Sequence, residues 1–361
     1  MDAVGQKEEQ DEDLKAGFWG LKEYVDNSGD IIITSQSLAV PEERREGFYR
    51  LVENAQKGIA RHVLGDLADK GERLAERCAR RQEQLIEGTD LKGFHLPRTL
   101  ESFMADPMLT MAKPTFGIIL EGLQKELSFK EMEEQAARQV VPFCKDLLRA
   151  AYEAWLYYGV VKALRPVRYY GIWSPDTVEL QVMETDTVNV GSQVTSPERR
   201  MPETVFVTED DQVFAIKSEV AEELDFYGVR PARCCDFSSG GNTVDQIAHR
   251  VLLIYRLRAV DQVPLLADRE RLYVLPSDLM CEFLLPEEME HPRAVAQFVS
   301  RIKTVRSRRP VQVLTADARG ELPAGLMEDP MMPPIERRAI GGDEQKLEAV
   351  ARLLAKDQKG R

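Results

Sequence analysis

The sequence predicts an α+β protein in which an N-terminal helical bundle is followed by a mixed α/β domain with a small sheet. Apolar residues recur at helical spacing through most of the first 164 positions. The spacing then shortens to two, and strand-length apolar runs afterwards alternate with helix-length ones. At the changeover stand seven aromatic residues: Tyr152, Trp155, Tyr157, Tyr158, Tyr169, Tyr170 and Trp173. Rings bury large areas, so this cluster is expected to fasten one structural unit to another.

The expected layout is a disordered N-terminus over 1–12, a helical domain over 13–165, a mixed α/β domain over 166–315, and an extended tail with a short C-terminal helix over 316–361. A chain of 361 residues is long enough for two cores of ordinary size. Phe18, Trp19, Leu21 and Val25 give a short amphipathic helix, a turn follows at Asn27, Ser28 and Gly29, and the isoleucine run within Asp30 to Thr34 reads as a strand. Pro41 stands where a first helical residue should, and Phe48, Leu51, Val52, Ala55, Ile59, Val63, Leu67, Leu74, Cys78 and Leu85 mark one helical face beyond it. Gly65 and Gly71 are the places where that long helix can break.

Pro97, Pro107 and Pro114 restrict the next stretch to short helices, whose Phe103, Met104, Met108 and Met111 suit core filling over the bundle. A helix is expected from Thr115 to Leu127. Ser128 and Glu131 then have the spacing of a capping box, which opens a helix running through Pro142 to about Leu164 and stopped by Pro166. Strands are expected at Val167 to Trp173, Thr177 to Val190, Thr204 to Thr208 and Val213 to Lys217, with Glu209, Asp210 and Asp211 forming a hairpin turn between the last two. Further helices are expected near Ser218 to Phe226, Thr243 to Arg258, Ser277 to Leu285 and Glu287 to Arg306, with strands at Ala232 to Phe237, Leu272 to Leu275 and Val311 to Leu314.

Charge narrows the function classes. A formal net charge of −13 sets a mean field that repels nucleic acid and anionic membrane surfaces. No apolar run is long enough to span a membrane, and the acidic start of the chain does not read as a leader, so a cytoplasmic location is expected. Five cysteines without CxxC spacing fit a reducing compartment and give no zinc motif, and no metal site is expected.

The strand-to-helix turn Asp236-Phe-Ser-Ser-Gly-Gly-Asn-Thr243 is the first candidate site. Its glycines would let backbone amides approach a phosphate or carboxylate, with Ser238, Ser239, Gly240, Gly241 and Thr243 as donors and Asp236 as metal ligand or general base. His249 is a candidate base on the helix that follows. The same residue types also build ordinary helix caps. Arg301, Lys303, Arg306, Arg308 and Arg309 form a basic run, of which Arg306, Arg308 and Arg309 are candidate oxyanion ligands. No signature identifies a cofactor. Two function classes are therefore carried forward: a binding or assembly protein that uses amphipathic helices and the tail as surfaces for a protein partner or a second copy, and an enzyme acting on a phosphorylated or carboxylated small molecule at the 236–243 turn.

Overall fold

The computed structural model describes residues 17–34, 37–125, 127–173, 181–190, 201–217, 251–264, 267–268, 273–284, 289, 292–316 and 332–355. It is α+β, and its described residues fall into two compact units. One unit draws on Met1–Arg77 and Arg98–Ala151, the other on Cys78–Pro97, Tyr152–Cys234 and Gln246–Arg361.

The first unit is mainly helical. Helix α1 covers residues 17–28, and the short strands β1 (Ile32–Ile33) and β2 (Leu38–Ala39) pair antiparallel. Helix α2 (Glu42–Leu64) starts directly after Pro41 and ends at Gly65, whose φ of 50° is open to glycine at little cost. Helix α3 (Asp66–Glu87) begins at once, so the expected break falls at Gly65 and not at Gly71. Gly71 stays helical for a packing reason: a Cβ there would stand 2.7 Å from the Met111 sulfur. Helices α4 (Arg98–Ala105), α5 (Pro107–Ala112) and α6 (Thr115–Lys125) bury Leu100, Phe103, Met108, Met111, Ile118 and Ile119, so the Met-rich stretch is core.

Helix α7 (Phe129–Ala163) opens with the expected capping box. The Ser128 amide donates to the Glu131 carboxylate at 2.8 Å, and the Glu131 amide donates to the Ser128 hydroxyl at 3.3 Å. The helix continues through Pro142.

The second unit holds an eight-stranded mixed sheet. Its strands are β4 (Pro166–Trp173), β5 (Gln181–Glu184), β7 (Thr204–Thr208), β8 (Val213–Lys217), β9 (Val251–Leu257), β12 (Leu279–Phe283), β13 (Val311–Thr315) and β14 (Ile335–Ala339). Small pairs formed by β3 (Gly93–His95) with β6 (Thr187–Asn189), and by β10 (Ala267–Asp268) with β11 (Tyr273–Val274), lie outside it. The order is β14-β13-β12-β9-β8-β7-β4-β5, antiparallel except between β12, β13 and β14. Parallel pairing of β12 with β13 needs a crossover, supplied by helix α8 (Pro292–Val305). The β7–β8 hairpin turns through Glu209 to Asp211 as expected, with Asp211 at φ 57°.

Three expected elements are corrected. Val251–Leu257 and Leu279–Phe283 are strands, although helices were expected over Thr243–Arg258 and Ser277–Leu285. Both segments are apolar on consecutive residues because the sheet is covered on both faces, which removes the alternation that identifies a strand. Within the segment expected as an extended tail, Ile335–Ala339 pairs in parallel with β13, while the short C-terminal helix expected there is α9 (Glu344–Ala355), which buries Leu347, Val350 and Leu354.

One sheet face packs Val205, Ala215, Val251, Leu253, Met280, Val311 and Val313 against Phe298, Ile302 and Val305 of α8. The last turns of α7 lie over the other face. Tyr152 meets Phe283 at a ring-centroid distance of 5.0 Å and stacks on Trp155 at 5.5 Å, while Tyr158 meets Phe94 at 5.1 Å and Tyr169 meets Phe206 at 5.9 Å. These members of the aromatic cluster thus pack helix against sheet and strand inside one unit.

Candidate functional site: a mixed-charge cleft

At the end of α7 the second unit forms an open cleft of about 390 Å³. Gly159, Lys162, Ala163, Leu164 and Arg165 line one side, and Arg81 projects into it from α3. The β7–β8 hairpin contributes Thr208, Asp210, Gln212 and Phe214, and α9 contributes Glu344, Glu348, Ala351 and Arg352. The volume suits a small ligand.

Arg81 is the most confined of the charged groups in the lining. Its guanidinium carbon lies 4.4 Å from the Trp155 ring centroid, and its Nη2 lies 3.0 Å from Glu344 Oε1. Only 4% of its side-chain surface is exposed. Glycine at 159 makes room for it, because a Cβ there would collide with both Arg81 and Leu347. Burial of a guanidinium is tolerable here because an aromatic face and a carboxylate replace part of its hydration.

Lys162 donates to the Gln84 side-chain oxygen at 2.5 Å and lies 4.0 Å from Glu344 Oε2. Two cations therefore converge on a single carboxylate. Arg165 takes φ 52° just past the last turn of α7, a left-handed helix stop ahead of Pro166, and its side chain pairs with Glu209 at 3.5 Å. Arg352 pairs with Glu348 at 3.0 Å on the same helix. The cleft lining thus carries Arg81, Lys162, Arg165 and Arg352 against Asp210, Glu344 and Glu348.

Asp236, Ser238, Ser239, Gly240, Gly241, Thr243 and His249 lie outside the described residues. Arg306, Arg308 and Arg309 follow α8, away from the cleft lining. Arg306 takes φ 53° as α8 ends, and its carbonyl accepts from the Ser277 amide at 3.3 Å. Arg308 pairs with Asp278 at 3.2 Å. Arg301, from the same basic run, turns inward and pairs with Glu282, both side chains being buried.

Burial pushes the Cys144 and Cys281 thiols up to about 12, so both stay protonated at neutral pH and are poor nucleophiles. Among the described residues, no group of three or more His, Cys, Asp or Glu side chains is placed to hold a metal ion. None of the described helices is long and apolar enough to cross a membrane.

Sequence reasoning missed the cleft, though one signal was present. Arg81 lies three residues after Cys78 and four before Leu85, so a cation interrupts the apolar stripe of α3. Lys162 and Glu344 carried no such mark. No protein-family model, curated protein or solved structure matches this chain.

Proposed function

We propose that the protein is an intracellular binding protein whose cleft captures a small ligand bearing a phosphate or carboxylate group. One observation carries this reading: Arg81, Lys162, Arg165 and Arg352 gather in one 390 Å³ cleft of a chain whose net charge is −13. Four cations face three carboxylates in the lining, a net positive balance set against an opposing mean field that favours capture of an oxyanion, and arginine's planar fork binds two oxygens together. Titration calorimetry and thermal unfolding with inorganic phosphate and citrate at low ionic strength test it. The expected result is a concentration-dependent rise in the unfolding midpoint, lost when Lys162 and Arg165 are both replaced by Gln. Neither heat nor a midpoint change with either probe rejects the reading.

A second reading, assembly with a protein partner or a second copy, is favoured by exposed apolar side chains in the first unit. Trp19, Ile32 and Tyr49 are 52%, 57% and 44% exposed. Large apolar groups left in water are common contact points, and tryptophan and tyrosine are frequent interface anchors. Light scattering coupled to size exclusion, on the wild type and on a Trp19→Ser/Tyr49→Ser variant, tests self-association. A wild type that is monomeric at all concentrations removes the second copy. The enzyme alternative at the 236–243 turn is tested by Asp236→Ala: that reading requires the substitution to abolish binding of phosphate or citrate without unfolding the chain.

A further inference from the structure

We infer that Glu344 is a built-in competitor for the oxyanion position of the cleft, so that a ligand binds by displacing the first carboxylate of α9. This rests on the reading of the cleft as an oxyanion site. The two partners in the Arg81–Glu344 pair are held very differently. Arg81 is 4% exposed at its side chain, lies against Trp155 and occupies the space that Gly159 leaves open. Glu344 is 57% exposed at its side chain and stands at the first position of α9.

The cation is therefore fixed, whereas the carboxylate can swing into water without leaving a new buried charge of its own. Helix α9 need not leave with it, because Leu347, Val350 and Leu354 remain buried. Glu344 also answers two cations with one charge, its oxygens lying 3.0 Å from Arg81 and 4.0 Å from Lys162. A phosphate carries close to two negative charges at neutral pH and three acceptor oxygens, so one ligand can address both cations with more charge than the single glutamate brings.

A tethered group also competes at a high effective concentration, which selects against single-charge ligands. The ligand class is accordingly a small dianion or trianion, a phosphate monoester or a polycarboxylate. Glu344 sets the affinity threshold.

The test is titration calorimetry of the full chain with inorganic phosphate and, separately, citrate, on the wild type, Glu344→Gln, Glu344→Ala and Asp343→Asn. Asp343→Asn removes the same charge from a neighbouring residue outside the cleft lining and controls for the general field, since Asn also caps a helix. Removing a tethered competitor is expected to tighten binding roughly tenfold in both Glu344 variants, with Asp343→Asn changing it by less than about twofold. Equal tightening by all three variants, or none in the Glu344 variants, overturns it while leaving the cleft as a binding site. No binding of either probe to any of the four proteins overturns both. A response confined to phosphate or to citrate identifies which oxyanion is taken.

Discussion

The guanidinium carbon of Arg81 lies 4.4 Å from the ring centroid of Trp155, coupling a buried cation of α3 to a buried aromatic residue of α7. Truncating Trp155→Ala should lower stability by about 3–5 kcal/mol, the range for removing a buried large aromatic. Arg81→Lys keeps the charge but loses the planar contact, and should cost about 1 kcal/mol. Denaturant unfolding measures both. An Arg81→Lys variant as stable as the wild type would show that the guanidinium–ring contact adds nothing.

Two glycines in helices should respond to alanine with opposite signs. At Gly159 a Cβ meets Arg81 and Leu347, so Gly159→Ala should destabilise by about 1–3 kcal/mol despite alanine's better helix propensity. At Gly117 in α6 nothing lies within 4 Å of the added carbon, so Gly117→Ala should stabilise by about 0.5–1 kcal/mol. Shifts of the same sign at both sites would contradict the packing described for Gly159.

The buried Glu282–Arg301 pair joins β12 to α8. Replacing Glu282 alone by Ala takes away the carboxylate paired with a buried guanidinium and should cost about 3–5 kcal/mol. Replacing both, as Glu282→Leu/Arg301→Met, removes the two desolvation costs together and should recover most of that loss. Chemical denaturation of the single and double variants decides it. A double variant no better than Glu282→Ala would mean that the pair is irreplaceable.

Burial raises the Asp146 carboxyl above its ordinary range, and the nearby Arg149 charge only partly offsets the effect. An acid with a raised folded-state pKa takes up a proton on folding. Its ionisation therefore disfavours the native state as pH rises from the unfolded value through the folded one. Asp146→Asn should stabilise the protein at neutral pH, and the gain should vanish below about pH 3, where the carboxyl is protonated in both states. Unfolding midpoints across pH read this directly. A gain that persists unchanged in acid would point to packing and not to charge.

Local chemistry was legible wherever neighbours in the chain interact. Ser128 and Glu131 satisfy each other's amides within one turn, Glu209 to Asp211 reverse the chain between alternating strands, and Gly65 ends α2 through its own φ. The α+β class followed from such signals, because hydrophobic period is a local property.

The tertiary structure decided the rest. Val251–Leu257 and Leu279–Phe283 became strands because neighbours cover both faces of the sheet, a circumstance the segments themselves do not encode. The segment expected as an extended tail gained its strand by pairing with β13. The cleft needs Arg81, Lys162 and Glu344 side by side, although they come from three helices distant in the chain. Their charges acquire meaning only through proximity and burial, and folding alone sets both.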